Sequence, residues 1–466
     1  MVKQASNLNG TNGWQTRGHV APYDFAVVGG GIAGIAAAEL LARSGQNVIL
    51  LEAGSQFVSG ASASQQGWAH TGALYAALPT SRYIRALLRN ASIWLSYYRS
   101  FDRMNLEAGR PLSSRAARGW FRNITNWYFY LDAWKTPGIR PCMRPLWWLA
   151  TQRAKIRLAR IQSIDLARPI DTQLRLLDHP RHLLADSGPH FPPRLAGEPR
   201  GIALPSQDRT LCMEAIAEDL LASFLASGGE FRLKTRVAAL RRGEVITDDK
   251  VYLAKRTIVC TGRAIGELTD VPVKVVKSPL LVTRPSLSES NLCVMAPTME
   301  LTFNHLFQAP DPADGYAVMG NASYYPADAN VDDNQVMQHM LDHVRRIFGV
   351  DLSPGNCQLY FGYKTETPGL GQLRNYQYQI HDAGHAIVCL PGKATLAFSM
   401  AHQLCRSLGI DPVTHVPELN RGAVSSLVSP TQHRQASMEL GRRAAGGPRA
   451  KASVLVGSSQ QFASTI

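Results

Sequence analysis

The run Val28-Gly29-Gly30-Gly31-Ile32-Ala33-Gly34 constrains this chain more than any other feature. It fits the pattern G-x-G-x-x-G, and its flanks supply the context that the pattern needs. Asp24–Val28 reads as a buried strand. Ile32–Arg43 is rich in Ala and Leu and reads as a helix, which Gly45 ends. Asn47–Leu51 (NVILL) reads as a second buried strand. Gly29 allows a tight exit from the strand, Gly31 lets a pyrophosphate touch the backbone, and Gly34 lets the helix pack closely on the sheet. The positive end of the helix then faces the phosphates. Glu52 closes the second strand, eighteen positions after Gly34. Its carboxylate would accept from ribose hydroxyls and repel a 2′-phosphate. A dinucleotide is implied, but the turn alone does not say which one.

The rest of the sequence narrows the class. The 466 residues are 45% apolar and 18% charged, enough for two or three domains. Seven cysteines are scattered with no Cys-x-x-Cys pair, so no metal site is expected and a reducing, cytoplasmic setting is. The first twenty residues contain no apolar run and read as a mobile arm rather than a secretory signal. Nothing approaches the roughly 18 uninterrupted apolar residues of a membrane span. The net charge of +14 favours an anionic substrate or cofactor. No recognition motif accompanies it, so no nucleic-acid partner is expected.

Further along, residues 80–105 read as an amphipathic helix and residues 179–207 as a proline-rich loop. Asp208 reads as the N-cap of a helix that runs to Gly228–Gly229. Short strands follow to Gly262, then a β-rich stretch over 275–326 and a helix over 331–348. Residues 118–160 interleave Trp120, Trp127, Trp134, Trp147 and Trp148 with arginines. A cap packed into a substrate domain is the favoured reading there; a partner surface or a peripheral membrane contact are the alternatives. From about residue 413, Ser, Gly, Arg and Gln dominate, which predicts a disordered tail.

Three segments resemble the D-amino-acid oxidase-like superfamily of FAD-dependent oxidoreductases, which includes glycine and sarcosine oxidases, glycerol-3-phosphate dehydrogenases and L-2-hydroxyglutarate dehydrogenases. They are Gly60–Tyr75 with its His70-Thr71-Gly72, the strand ending in Thr261-Gly262, and Leu390-Pro391-Gly392-Lys393 before a helix. The resemblance covers roughly residues 22–412. It implies an α/β fold: a Rossmann-type FAD-binding domain (21–80, 205–275 and 355–412) with a discontinuous, β-rich substrate domain (81–204 and 276–354). It assigns to FAD the residues Gly29, Gly31, Gly34, Glu52, Ala53, Ser62, His70, Val237, Thr261, Gly262, Gly392, Lys393 and Ala394.

For the reaction, the resemblance implies oxidation of a C–N or C–O bond of a small or medium polar, anionic substrate by hydride transfer to flavin N5. The electron acceptor, whether oxygen, a quinone or a redox partner, stays open. His70 would be a general base, a hydrogen-bonding partner of the flavin, a covalent attachment point, or a structural histidine beneath it. Tyr363, Lys364 and Arg374 would face the substrate side, with Arg374 as a planar fork for a carboxylate or phosphate. His305 reads as a core histidine. The helix beginning near Lys393 would stabilise negative charge on the reduced flavin. An NAD-only dehydrogenase lacks support, because no second nucleotide-type domain is visible. The other alternative is a cofactor-bearing subunit of a larger redox complex with no turnover of its own.

Overall fold

The computed structural model describes residues 22–101, 119–122, 124, 126–136, 139–178, 200–298, 302–308, 315–367 and 377–446. The expected arm at 1–20 and Arg374 lie outside them.

The first sheet grows from the glycine turn. Tyr23–Val28 pairs in parallel with Val48–Leu51 on one side and with Val251–Val259 on the other. Glu230–Arg232 and Ile387–Leu390 extend it in parallel, and Gln379–Asp382 adds an antiparallel edge. Both faces are covered, so the strands read as continuous apolar runs. Phe25, Val27, Val48 and Leu50 point to the helices Ile32–Arg43, Met213–Ala226 and Leu396–Ser407. Ala26, Val28, Ile49 and Leu51 point to the antiparallel meander Val237–Arg241, Glu244–Thr247 and Val251–Val259.

The second sheet runs in the order Tyr325–Pro326, Lys274–Thr283, Ala317–Asn321, Phe303–Phe307, Asn291–Met295, Asn126–Leu131, Gly201–Ser206, and Cys357–Glu366 also pairs with Lys274–Thr283. On one face, Leu281, Leu292, Phe303 and Met319 pack against the helix Asp333–Phe348. That helix starts at Asp332, whose carboxylate accepts from the amides of Asn334 and Gln335, and ends at Gly349 with φ +66°. The opposite face is covered at one end by the helices Arg82–Ser100 and Arg144–Gln162, over Tyr128, Tyr130 and Cys293. A small third sheet, Trp68–Ala69, Arg209–Leu211 and Phe121–Arg122, lies at the junction of the two large ones.

Three expectations need correction. The proline-rich stretch 179–207 is not all loop: Gly201–Ser206 pairs with Asn126–Leu131. It lies at the sheet edge, where Pro205 leaves no inner ladder bond unmade. Residues 118–160 are not one cap. Trp120 is buried with Tyr98, Phe101 and Phe398 beside the first sheet's helices, whereas Asn126–Leu131 belongs to the second sheet. The tail is not disordered from 413. Phe57 bridges Val428, Arg421 pairs with Asp219 at 2.5 Å, and the helix Gln432–Gly446 lays Ala436 and Leu440 on Leu280, Val282 and Val318. Polar composition hides this because only a thin apolar stripe of the segment is buried. Residues 447–466 lie outside the described residues.

Candidate active site

The glycine turn is backbone packed on backbone. Gly29 has φ +103°, and a Cβ there would stand 2.7 Å from the carbonyl oxygen of Cys260. A Cβ on Gly34 would come within 1.8 Å of the Gly29 carbonyl oxygen. A Cβ on Gly31 would meet the Ser62 hydroxyl at 3.3 Å, and that hydroxyl accepts from the amide of Ile32 at 3.0 Å. The helix has no acid in its first turn and Gly31 at its N-cap has no side chain, so its positive end stays available to an anion. Glu52 accepts from the amides of Gly30 (2.5 Å) and Gly54 (2.7 Å). Its carbonyl accepts from Thr235, which brings the start of Val237–Arg241 to the same strand end. Val237 is buried there and Ala53 is exposed. Thr261 carries a buried hydroxyl with no partner, followed by Gly262 at φ +59°. A pyrophosphate and ribose fit this cradle: it offers a helix end with no acid in its first turn, a fixed carboxylate and an unmatched hydroxyl.

From there the chain runs through Ser62–Gly72 between the two large sheets. The amide of Tyr363 donates to the Ser64 hydroxyl at 3.2 Å. Gln66 donates to Asn304 and to the carbonyl of Val318, and Gln308 donates to the carbonyl of Gln66. Gly362 leaves room for this loop; a Cβ there would stand 2.7 Å from the Ser64 carbonyl oxygen.

The loop ends on Asp208, which is 2% exposed. Its carboxylate accepts from the amide and hydroxyl of Thr71 (2.7 and 2.6 Å), the indole of Trp68 (3.1 Å) and the hydroxyl of Tyr128 (2.6 Å). Burial opposes its ionisation, but the interactions with His70, Thr71 and Tyr128 outweigh it and hold Asp208 below the ordinary carboxylate range. His70 is buried with Nδ1 3.8 Å from Asp208, and its ring lies 4.4 Å from that of Trp68. Burial, and then the charge of Lys393, push its pKa down to about 4; Asp208 opposes them and Lys364 adds to them. His70 is therefore neutral at pH 7.

The second sheet and the last turn supply those lysines. Lys364 lies on Cys357–Glu366, bonded to Glu366 at 2.6 Å. Gly392 takes φ +67°, and Lys393 and Ala394 follow it, half-buried, ahead of the helix Leu396–Ser407, whose N-cap is Thr395. Segments separated by some 290 to 320 positions in the chain thus place charges within electrostatic reach of one imidazole.

The model of the FAD-dependent oxidoreductase family, DAO, matches residues 24–396. The chain belongs to this family. It is an FAD-dependent oxidoreductase. No curated protein matches it in sequence. Its fold is similar to that of glycine oxidase from Geobacillus kaustophilus, at TM-score 0.58 and 16% identity over 84% of this chain and 96% of that one. It is also similar to the FAD-bound L-alpha-glycerophosphate oxidase of Mycoplasma pneumoniae (TM-score 0.57, 14% identity, 86% and 98% covered). NikD, an unusual amino acid oxidase essential for nikkomycin biosynthesis, gives TM-score 0.56 and 16% identity, with 88% and 98% covered.

Within this flavoprotein, two sequence expectations change. Tyr363 does not share a face with Lys364. Strand alternation sends it to the side of Phe361 and Lys277, away from His70, and leaves it 36% exposed. Asp208 does not cap a helix; the helix begins at Met213 with Cys212 as its N-cap. The carboxylate that looked like a local stop signal instead anchors the His70 loop. His305 is wholly buried against Phe348 with Ser286 at 3.3 Å, a core residue on the far face of the second sheet. Asp208, Tyr128 and Gln66 were missed as site residues, since each acts across more than seventy residues of chain. Among the described residues no group of His, Cys, Asp and Glu is arranged to hold a metal.

Proposed function

We propose that this enzyme oxidises a C–N or C–O bond of a small or medium polar, anionic substrate, with His70 as the proton acceptor and Lys364 as the anion contact. The supporting observation is a buried His70 whose Nδ1 lies 3.8 Å from the Asp208 carboxylate, within electrostatic reach of Lys364 and Lys393. FAD, when bound, would supply the hydride acceptor at N5. The residues of the chain position the substrate and handle its proton.

In this reading the glycine turn, Glu52, Ser62, Val237 and Thr261-Gly262 would hold the adenosine and pyrophosphate, and Gly392, Lys393 and Ala394 would hold the flavin end, where the Lys393 ammonium and the helix N-terminus behind it favour negative charge. Lys364 meets the substrate anion, and Glu366 keeps its ammonium on the site face of the strand. His70 takes an O–H or N–H proton, and the buried charge of Asp208 stabilises the imidazolium that forms.

The test is anaerobic bleaching of the flavin absorbance with a panel of amino acids, 2-hydroxy acids and polyol phosphates. One anionic class should bleach it within the time of turnover, and the uncharged alcohol or amine of the same skeleton should not. Bleaching by uncharged compounds alone would overturn the anionic assignment. Rapid mixing of the reduced enzyme with oxygen and with a soluble quinone then separates oxidase from dehydrogenase.

A further inference from the structure

The helix Arg144–Gln162 has an inward face that is fully used. Trp147, Ala154, Leu158 and Ile161 are buried, the Trp147 indole donates to the carbonyl of Leu131 at 2.9 Å, and the Arg157 guanidinium donates to the carbonyls of Ala76 and Pro79. Its outward face is also apolar. Leu146 is 62% exposed, Leu149 51% and Ile156 52%, with Trp148 at 50%. Leu149 and Ile156 lie two turns apart on one stripe, with Leu146 and Trp148 on its flanks. From a neighbouring turn Trp134, 59% exposed, joins them, its ring 5.9 Å from the Arg144 guanidinium. Five large apolar side chains standing in water on one side of a folded enzyme mark an interaction surface.

The charges around them select the partner. Residues 134–163 contain seven Lys and Arg and no Asp or Glu. Lys135, Arg140 and Lys155 are exposed at the rim. Asp132 offsets part of this at one edge, 4.0 Å from Lys135. A surface that is apolar at its tip, predominantly cationic at its rim and furnished with two exposed indoles matches an anionic bilayer: aliphatic groups meet the acyl boundary, indoles the headgroup level, and ammonium groups the lipid phosphates. An acidic protein groove would satisfy the charges but would not call for such apolar tips from two separate segments. No helix among the described residues is long and apolar enough to cross a membrane, so the contact lies in the interface plane.

We propose that this face docks the enzyme reversibly on anionic lipid, with Trp134, Leu146, Trp148, Leu149 and Ile156 inserted and Lys135, Arg140 and Lys155 against the headgroups. The proposal rests on this face alone and stands apart from the substrate reading.

The test is flotation of the yellow holoenzyme with vesicles of phosphatidylcholine, with and without a third of phosphatidylglycerol. Binding should occur to the anionic vesicles and weaken severalfold on raising salt from 0.05 to 0.5 M. Lys135→Gln and Lys155→Gln should each cost about fivefold in partitioning. The triple variant Trp134→Ser, Leu149→Ser, Ile156→Ser should keep its flavin spectrum and turnover and lose binding by more than tenfold. Any of three outcomes would overturn the proposal: no flotation with anionic vesicles, unchanged flotation of the triple variant, or a wild-type dimer on gel filtration that the triple variant converts to monomer.

Discussion

The Asp208 carboxylate stands 3.8 Å from Nδ1 of His70, and both side chains are buried. At that distance no hydrogen bond forms, and Nδ1 has no other partner. The attraction grows only when the imidazole is charged, so the pair is built to respond to a proton arriving on His70. Asp208→Asn removes that response and sets an amide N–H against donors from Thr71, Trp68 or Tyr128. We expect kcat/KM to fall by about 10²-fold, with a stability loss of about 1–3 kcal/mol for the mismatched donors. His70→Asn should lower kcat/KM at least as far while leaving FAD bound. Unchanged turnover in both variants, followed by steady-state kinetics, would remove His70 from the chemistry.

Lys393 and Lys364 both depress the His70 pKa, Lys393 more strongly. Lys393→Gln should therefore raise the acidic limb of the kcat/KM profile further than Lys364→Gln does. Lys364→Gln should instead raise KM for an anionic substrate by about tenfold, the loss of one charge-assisted contact. The two pH profiles, compared over pH 3.5 to 7, check the order.

Four histidines, His70, His305 and His433 buried and His402 half-buried, have pKa values pushed down by burial from 6.5 to about 4. In the unfolded chain each titrates near 6.5, so between pH 6.5 and 4 the unfolded state holds more protons. Stability then rises with pH across that window and falls as pH drops through it, by up to about 1.4 kcal/mol per pH unit for each histidine. Urea midpoints measured from pH 7 to 4.5 should decline progressively. His305→Gln, which removes one such group from the far face of the second sheet, should flatten the slope. A flat midpoint in the wild-type protein would contradict the burial of these rings.

The glycines of the turn separate fold from cofactor. Gly34→Ala places a methyl 1.8 Å from the Gly29 carbonyl oxygen, backbone that has no way to yield. It should give a colourless protein destabilised by about 3 kcal/mol or more. Gly31→Ala meets only the Ser62 hydroxyl at 3.3 Å. It should fold with little loss and release FAD more readily, as read by fluorescence of the flavin after gel filtration.

Arg421 lies 2.5 Å from Asp219, whose other oxygen accepts from the Trp120 indole at 2.7 Å. Asp219 is wholly buried and Arg421 about a third exposed. Arg421→Ala should cost about 2 kcal/mol, less than a fully enclosed pair because water reaches the guanidinium. Thermal melts with and without added FAD check this. A larger loss of flavin than of secondary structure would show that residues 413–446 steady the loop behind Phe57.

Local sequence carried the cofactor half of this enzyme. The turn at Gly29–Gly34 needs neighbours only a few residues away, so strand, turn, helix and acid stand in their working order along the chain. Lys364 and Tyr363 show where local reading stops. They are adjacent, yet the pleat sends them to opposite faces, and nothing nearby says which face looks at His70. Asp208 shows the same limit from the other side. Its local setting looked like a helix start, whereas its partners lie 80 and 137 residues away. The tail was misread because composition averages over residues, while docking needs only Val428, Ala436 and Leu440 at the right spacing.

What the sequence by itself determined is the glycine turn, the acid at the end of the second strand and the close backbone packing that only glycine admits, because backbone conformation and short-range sterics act within one βαβ unit. What only the tertiary structure decided is the surroundings of His70: which lysines act on it electrostatically, which carboxylate stands beside it, and that Trp134 and Trp148 stay in water while Trp120, Trp127 and Trp147 do not. Those outcomes depend on burial and on charges brought together over hundreds of residues, and long-range packing has no signature in neighbouring positions.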